Sequence, residues 1–263
     1  MRNAVYQRQA DERVHVFDAA AMPWEETARS GLRLKSIRVD DDRGEFLGLI
    51  GFDRGVRSGL HQHQGVATSF ILEGGISDYM GCTAQNEVGI NRLGSTHDAI
   101  SHVPTVLVSK LEGPVNYPLK DQLLSGIHAG STYEGFRNPD PDIAPEINVA
   151  VDHVASLETG VAGLRRQTIY DYAGTGRIRR MLQWRLRPEA VLPPWQASEW
   201  VELWIRGGEL TINGQKAHAN CFVVVEPGAT VRVESPFGAL ALVWAEGQER
   251  WPTANAGANL FGF

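Results

Sequence analysis

Gly59-Leu60-His61-Gln62-His63 runs on into Phe70-Ile71-Leu72-Glu73-Gly74-Gly75. Side chains on an extended strand alternate between faces, so His61 and His63 point the same way. Two imidazoles on one face are half of a metal site. Downstream, Gly94-Ser95-Thr96-His97 is a tight turn that ends in another histidine. The rest of the chain reads as a scaffold that brings His97 to His61 and His63, or as a copy of that scaffold.

The flanking pattern is that of short strands. Leu32-Arg33-Leu34-Lys35-Ser36-Ile37-Arg38-Val39 largely alternates apolar and polar residues, the signature of a half-buried strand. Val14 to Phe17, Glu45 to Phe52, Ser69 to Leu72, Ile76 to Tyr79, Asn86 to Ile90 and Pro104 to Leu111 read as further strands, with Gly, Asp and Asn at the turns. Many short strands with few helical patterns predict an all-β sandwich or barrel. Residues 114–145 differ. Arg137 to Pro145 is proline-rich and reads as a linker or embracing loop, and Asp121 to Gly126 as one helical turn.

Beyond that stretch the first pattern returns at one constant offset. Gly74 and Gly208, Asn86 and Asn220, Gly94 and Gly228, and Glu112 and Glu246 are each 134 residues apart. One offset shared by strand ends and turns indicates an internal repeat. The expected layout is an N-terminal β-domain over 1–115 with the metal site, a connector over 116–165, and a second β-domain over 166–263. At the same offset His61 maps to Trp195, His63 to Ala197 and His97 to Val231. Six of the 7 tryptophans lie in the second copy or its tail. The second barrel is therefore expected to hold a side-chain core in place of a metal pocket, and to stabilise the first barrel or mediate oligomerisation.

Composition narrows the partners. The 263 residues are 43% hydrophobic and 21% charged, ordinary for a globular protein. With 31 acids against 25 bases the net charge is −6, which argues against a nucleic-acid partner. Arg165-Arg166 and Arg177 to Arg180 read as solvated strand ends. There is no apolar run of about 18 residues, and the N-terminus shows no apolar signal region, so no membrane association and a cytoplasmic location are expected. Cys82 and Cys221, the only cysteines, read as reduced thiols.

On these residues the chain resembles the cupin superfamily, and within it the ChrR-like branch. Gly55, His61, His63 and Gly74 fit the first cupin motif; Gly94 and His97 fit the end of the second, with Arg92 where proline is usual. The run Gly94 to His97 and the ending Val106 to Leu111 look like ChrR-type cupins. The resemblance covers most of residues 30–113 and 166–247 and implies two tandem double-stranded β-helix (jelly-roll) barrels, a bicupin. The motif glutamate falls at 67 or 68, where this chain has Ala67 and Thr68. What remains is a neutral three-histidine set, similar to the iron sites of acetylacetone-cleaving and dihydroxyacetophenone dioxygenases.

Three imidazoles leave one side of a metal open to water, substrate or dioxygen. They suit Fe, Zn, Ni and Cu, with Mn also open. Fe(II) is the expected metal, because an unneutralised site favours an enolate or diketonate that binds through two oxygens. Zn(II) on the same ligands would activate a water for hydrolysis. The leading expectation is a metal-dependent dioxygenase acting on a small diketone or hydroxy-ketone, with a homodimer possible. The alternative is a metal-binding sensor or small-molecule binding protein, related to ChrR-type anti-sigma factors but without their sigma-binding domain. Residues 1–30 contain no cysteine and one histidine, His15, where such a domain would need a zinc site.

Around the three histidines, Gln62, Gln64, Ser69 and Glu73 are candidates to orient the rings, Gln64 reading foremost as a loop amide. His102 is a candidate for the pocket mouth or a strand cap. Phe70, Leu72, Val106 and Val108 are candidate pocket walls of unassigned orientation. His15 and His128 read as structural, His153 and His218 as surface residues, and Glu202, at the position equivalent to Thr68, as a relic of the motif carboxylate.

Overall fold

The computed structural model describes residues 13–117, 146–173, 175–252 and 258–263. Among them every regular element is a β-strand, apart from one 3-10 turn at Val151–His153. No helix is long and apolar enough to cross a membrane. The helical turn read at 121–126, most of the linker read at 114–145 and His128 lie outside the described residues.

The described residues fall into two compact units, one within 23–152 and the other formed by 13–22 with 153–263. This differs from the expected division at 115 and 166. Val14–Asp18 pairs along its whole length with Cys221–Val225 and so belongs to the second unit. Glu146–Ala150, placed in the connector by its prolines upstream, pairs with Glu87–Asn91 and extends the sheet of the first unit.

In the first unit, seven antiparallel strands form the main sheet. Their order is Glu146–Ala150, Glu87–Asn91, Ala67–Glu73, Thr105–Glu112, Glu45–Phe52, Leu32–Asp40 and Glu25–Glu26. Two short ladders complete the unit. Thr96–His97, His61–His63 and Val115–Asn116 make one; Ile100–Ser101, Gly75–Asp78 and Gly81–Ala84 make the other. Strand alternation sets the inner face. Leu34, Ile50, Leu107 and Ile71 form one row across four adjacent strands, and all four side chains face a cavity of about 240 Å³.

The second unit repeats four strands of the first residue for residue. Shifted by 134 residues, Glu45–Phe52 becomes Arg179–Leu186, Gly81–Ala84 becomes Gln215–His218, Glu87–Asn91 becomes Cys221–Val225, and Thr105–Glu112 becomes Ala239–Glu246. The turn residues match in conformation as well: Gly74 and Gly208 have φ of 76° and 77°, Asn86 and Asn220 67° and 71°, Gly94 and Gly228 81° and 78°. At Gly74 and Gly208 a Cβ would also collide with backbone, at Pro104 and at Gly238 respectively. The positive φ and the close approach both require glycine there.

The interiors differ as the sequence predicts. Ile50, Ser69, Asp78, Ser109 and His97, which line the first unit's cavity, are replaced by Trp184, Leu203, Ile212, Val243 and Val231, all buried in the second unit's core. Trp184 stacks on Phe261 at 5.8 Å, and Trp195 meets the same ring edge-on at 5.4 Å. Aromatic volume fills the space that stays open in the first unit.

Candidate metal centre

The Gly59 to His63 stretch is shaped by its backbone. Gly59, at φ 82°, turns the chain so that its amide donates to Asp98 Oδ1 at 3.0 Å, and its carbonyl accepts from His61 Nδ1 at 2.6 Å. His61–His63 then runs as a strand. The Gly94 turn docks onto it: His63 N donates to Ser95 O at 2.9 Å and Gly94 N to His63 O at 2.7 Å. That turn delivers Thr96–His97 as the antiparallel neighbour, with His97 directly opposite His61.

The three imidazoles meet through their Nε2 atoms, 3.2 Å between His61 and His63 and 3.0 Å between His63 and His97. All three residues are buried, at 5%, 5% and 8% exposure. His61 Nδ1 donates to Gly59 O and His97 Nδ1 to Asp78 Oδ2 at 2.8 Å, which leaves a lone pair on each Nε2 in the neutral ring. With His97 also neutral, as a metal ligand must be, the His61 and His97 Nε2 lone pairs both face His63 Nε2. A cation at the meeting point satisfies all three nitrogens together, so the donor set fits a divalent transition metal.

Electrostatics divide the three rings. Burial, with repulsion from His97, lowers the His61 pKa to about 3; burial and the other two rings push His63 well below the ordinary value. Both are neutral at pH 7, as a metal ligand must be. Burial also lowers His97, but hydrogen bonds with Asp78 and Glu146 outweigh it and raise its pKa to about 9. Asp78 is held at about 2: its burial is overcome by hydrogen bonds with His97, Glu146 and the Met80 amide.

The cavity is apolar on the side of the main sheet, with Leu32, Phe52 and Leu111 among its walls, and polar around His97. Tyr117, 55% exposed, stands at the mouth with its ring 5.7 Å from that of His61 and the Arg29 guanidinium 5.9 Å from its own centroid.

This geometry corrects some sequence readings, the wall residues, Glu73 and His102 among them, and agrees with others. The walls come from Ala67, Ser69, Ile71, Leu107, Ser109 and Leu111; Phe70, Leu72, Val106 and Val108 alternate to the opposite face. Gln64 does not line the cavity: its amide donates to Gln62 Oε1 at 2.9 Å, and Gln62 in turn donates to Gly94 O. Glu73 and His102 are exposed and outside the cavity. His15 is buried, with Nε2 3.2 Å from Glu226 Oε1, and His153 and His218 are exposed. Cys82 and Cys221 are free thiols.

Asp78, Glu146, Asn91 and Tyr117 are cavity residues that the sequence reading missed. Strand parity carries a signal for Asp78, which shares a face with the apolar Ile76. Glu146 opens a β-prone Ile-Asn-Val run directly after the proline-rich stretch. Asn91 and Tyr117 carry no signal of their own.

Residues 12–116 match the family model of the ChrR cupin-like domain. A search of curated proteins finds no match. Among solved structures, the chain is similar to a candidate dioxygenase from Nostoc punctiforme, with a TM-score of 0.72 and 10% identity over 92% of this chain and 85% of that one. It is also similar to oxalate decarboxylase from Bacillus subtilis, with a TM-score of 0.61 and 11% identity over 90% and 78%. That enzyme has Mn(II) centres. At such identities the likeness speaks to the fold. The chain thus has a two-barrel fold like that of those structures, and its residues 12–116 match the ChrR cupin-like domain.

Proposed function

We propose that the first barrel is a metal-dependent oxidoreductase site, in which His61, His63 and His97 hold a divalent transition metal and a small diketone or hydroxy-ketone is cleaved by dioxygen. The observation that carries this reading is the convergence of three Nε2 atoms, 3.0 and 3.2 Å apart, at the edge of an otherwise largely apolar cavity of about 240 Å³. A bound metal, Fe(II) by preference over Mn, Ni or Zn, supplies a Lewis acid for two substrate oxygens and an electron route to dioxygen.

The chain's residues supply the rest. Neutral His61 and His63 add no negative charge, so the site favours a ligand that brings its own, such as an enolate. Leu32, Phe52, Ile71 and Leu107 exclude water from the bound molecule, which strengthens each electrostatic contact inside. Tyr117 lines the cavity and the Arg29 guanidinium lies against its ring, where a cation favours entry of an anion.

The test is oxygen uptake by protein reconstituted anaerobically with Fe(II), Mn(II), Ni(II) or Zn(II), over a panel of β-diketones and α-hydroxy-ketones. The expected result is one dioxygen consumed per substrate cleaved, with both oxygen atoms in the two products, and no uptake by His61→Ala. Stoichiometric metal binding with no uptake across the panel would overturn the dioxygenase reading in favour of a sensor or binding protein.

A further inference from the structure

One cross-strand row accounts for the missing motif carboxylate. Ala67 pairs with Asn91, and Asn91 pairs with Glu146, so the three residues sit side by side on adjacent strands. All three line the cavity. Of the two positions where the cupin motif puts its glutamate, Ala67 is the one that faces the cavity. The row keeps a carboxylate, but two strands away, a displacement of about 10 Å at the usual strand spacing. Glu146 lies beyond the residues that match the family model.

Glu146 meets a second carboxylate there. Asp78, from the short hairpin strand Gly75–Asp78, accepts from His97 Nδ1 at 2.8 Å; Glu146 Oε2 is 3.6 Å from the same atom. The remaining oxygen positions of the two carboxylates are taken by donors. Met80 N donates to Asp78 Oδ1 at 2.7 Å, Asn91 Nδ2 to Glu146 Oε2 at 3.0 Å, and Thr83 Oγ1 to Glu146 Oε1 at 3.3 Å. These contacts fix both carboxylates on the Nδ1 side of His97, away from the point where the three Nε2 atoms meet.

We propose that Asp78 and Glu146 are positioning residues of the metal centre. Acting through His97, they hold its ring with Nδ1 donating to Asp78 and Nε2 turned to the metal, and leave the Ala67 side of the cavity to the substrate. A carboxylate behind a ligating histidine fixes its tautomer and ring plane and raises its basicity. The inference rests on the metal reading above, and it explains how an all-imidazole site is stabilised without a carboxylate ligand.

The test compares Co(II) binding by the full chain and by Asp78→Asn, Glu146→Gln and the double variant, with Glu73→Gln, an exposed carboxylate outside the cavity, as control. Asn keeps an acceptor for the Met80 amide, and puts an NH2 donor where Asp78 Oδ2 accepts from His97 Nδ1. Asp78→Asn is expected to weaken Co(II) binding by about 10–100-fold and the double variant by more. The visible spectrum of bound Co(II) should shift, and the control should not change. The second readout uses metal-free protein: ¹⁵N shifts of the His97 ring should show a protonated Nδ1 in wild type and an altered state in Asp78→Ala. Unchanged Co(II) affinity in the double variant would overturn the proposal while leaving the metal site standing. No Co(II) binding by wild type would sink the metal reading itself; an unchanged His97 ring in Asp78→Ala would then sink this one separately.

Discussion

Trp195 holds in the second unit the place that His61 holds in the first. His61 faces His97 across its ladder, and Trp195 faces Val231 across the equivalent one. The same backbone thus supports a cavity in one unit and a packed core in the other, with Trp195 fully buried. Trp195→Ala is expected to cost about 3–5 kcal/mol. Denaturant unfolding followed by tryptophan fluorescence measures it. Metal binding by the first unit should survive at low denaturant; an unchanged midpoint would contradict the core assignment.

His63 Nε2 lies within 3.2 Å of His61 Nε2 and 3.0 Å of His97 Nε2. Removing it should weaken metal binding by more than the about 10–100-fold that loss of a hydrogen bond behind a ligand costs. Metal-free stability should fall far less than in a core deletion, because three buried imidazoles without a cation are poorly satisfied. Calorimetric titration and thermal melts of metal-free His63→Ala separate the two effects.

Metal affinity should rise with pH. His61 and His63 are neutral from pH 6.5 upward, since their folded pKa values lie below the unfolded one. His97, raised to about 9, carries a proton that a metal must displace. Between pH 7 and about 9 the logarithm of the apparent affinity should climb by about one per pH unit, then flatten. In the metal-free protein the sign is opposite: the stability His97 contributes is fully present below pH 6.5 and is lost as pH rises through 9. Titrations at pH 7, 8 and 9 decide this; a flat profile would show that His97 binds no proton.

Alternation gives a paired prediction for the cavity wall. Ile71 faces the cavity and Leu72 does not. Ile71→Phe should lower the affinity for a diketone by filling the cavity, with metal content unchanged. Leu72→Ala should leave diketone affinity as it is. Equal effects would mean that the wall is not the one described.

The sequence made some features legible and hid others for physical reasons. Glu45–Phe52 was readable to the residue because turns bracket it, and the histidine triad because motif spacing and strand parity agree. The wall was not, because Ala67–Glu73 and Thr105–Glu112 place apolar residues on both faces and period two is then silent. Asp78 and Glu146 reach His97 from strands that no local pattern ties to it. The ownership of Val14–Asp18 was hidden too, since its partner Cys221–Val225 lies at the far end of the chain.

The most direct test of the central claim is the metal content of untagged protein, by elemental analysis beside a His61→Ala/His97→Ala variant. Close to one transition-metal ion per chain, iron foremost, is expected, and none in the variant. Protein that carries no metal and takes up none on incubation with Fe(II), Zn(II), Mn(II) or Ni(II) would contradict it.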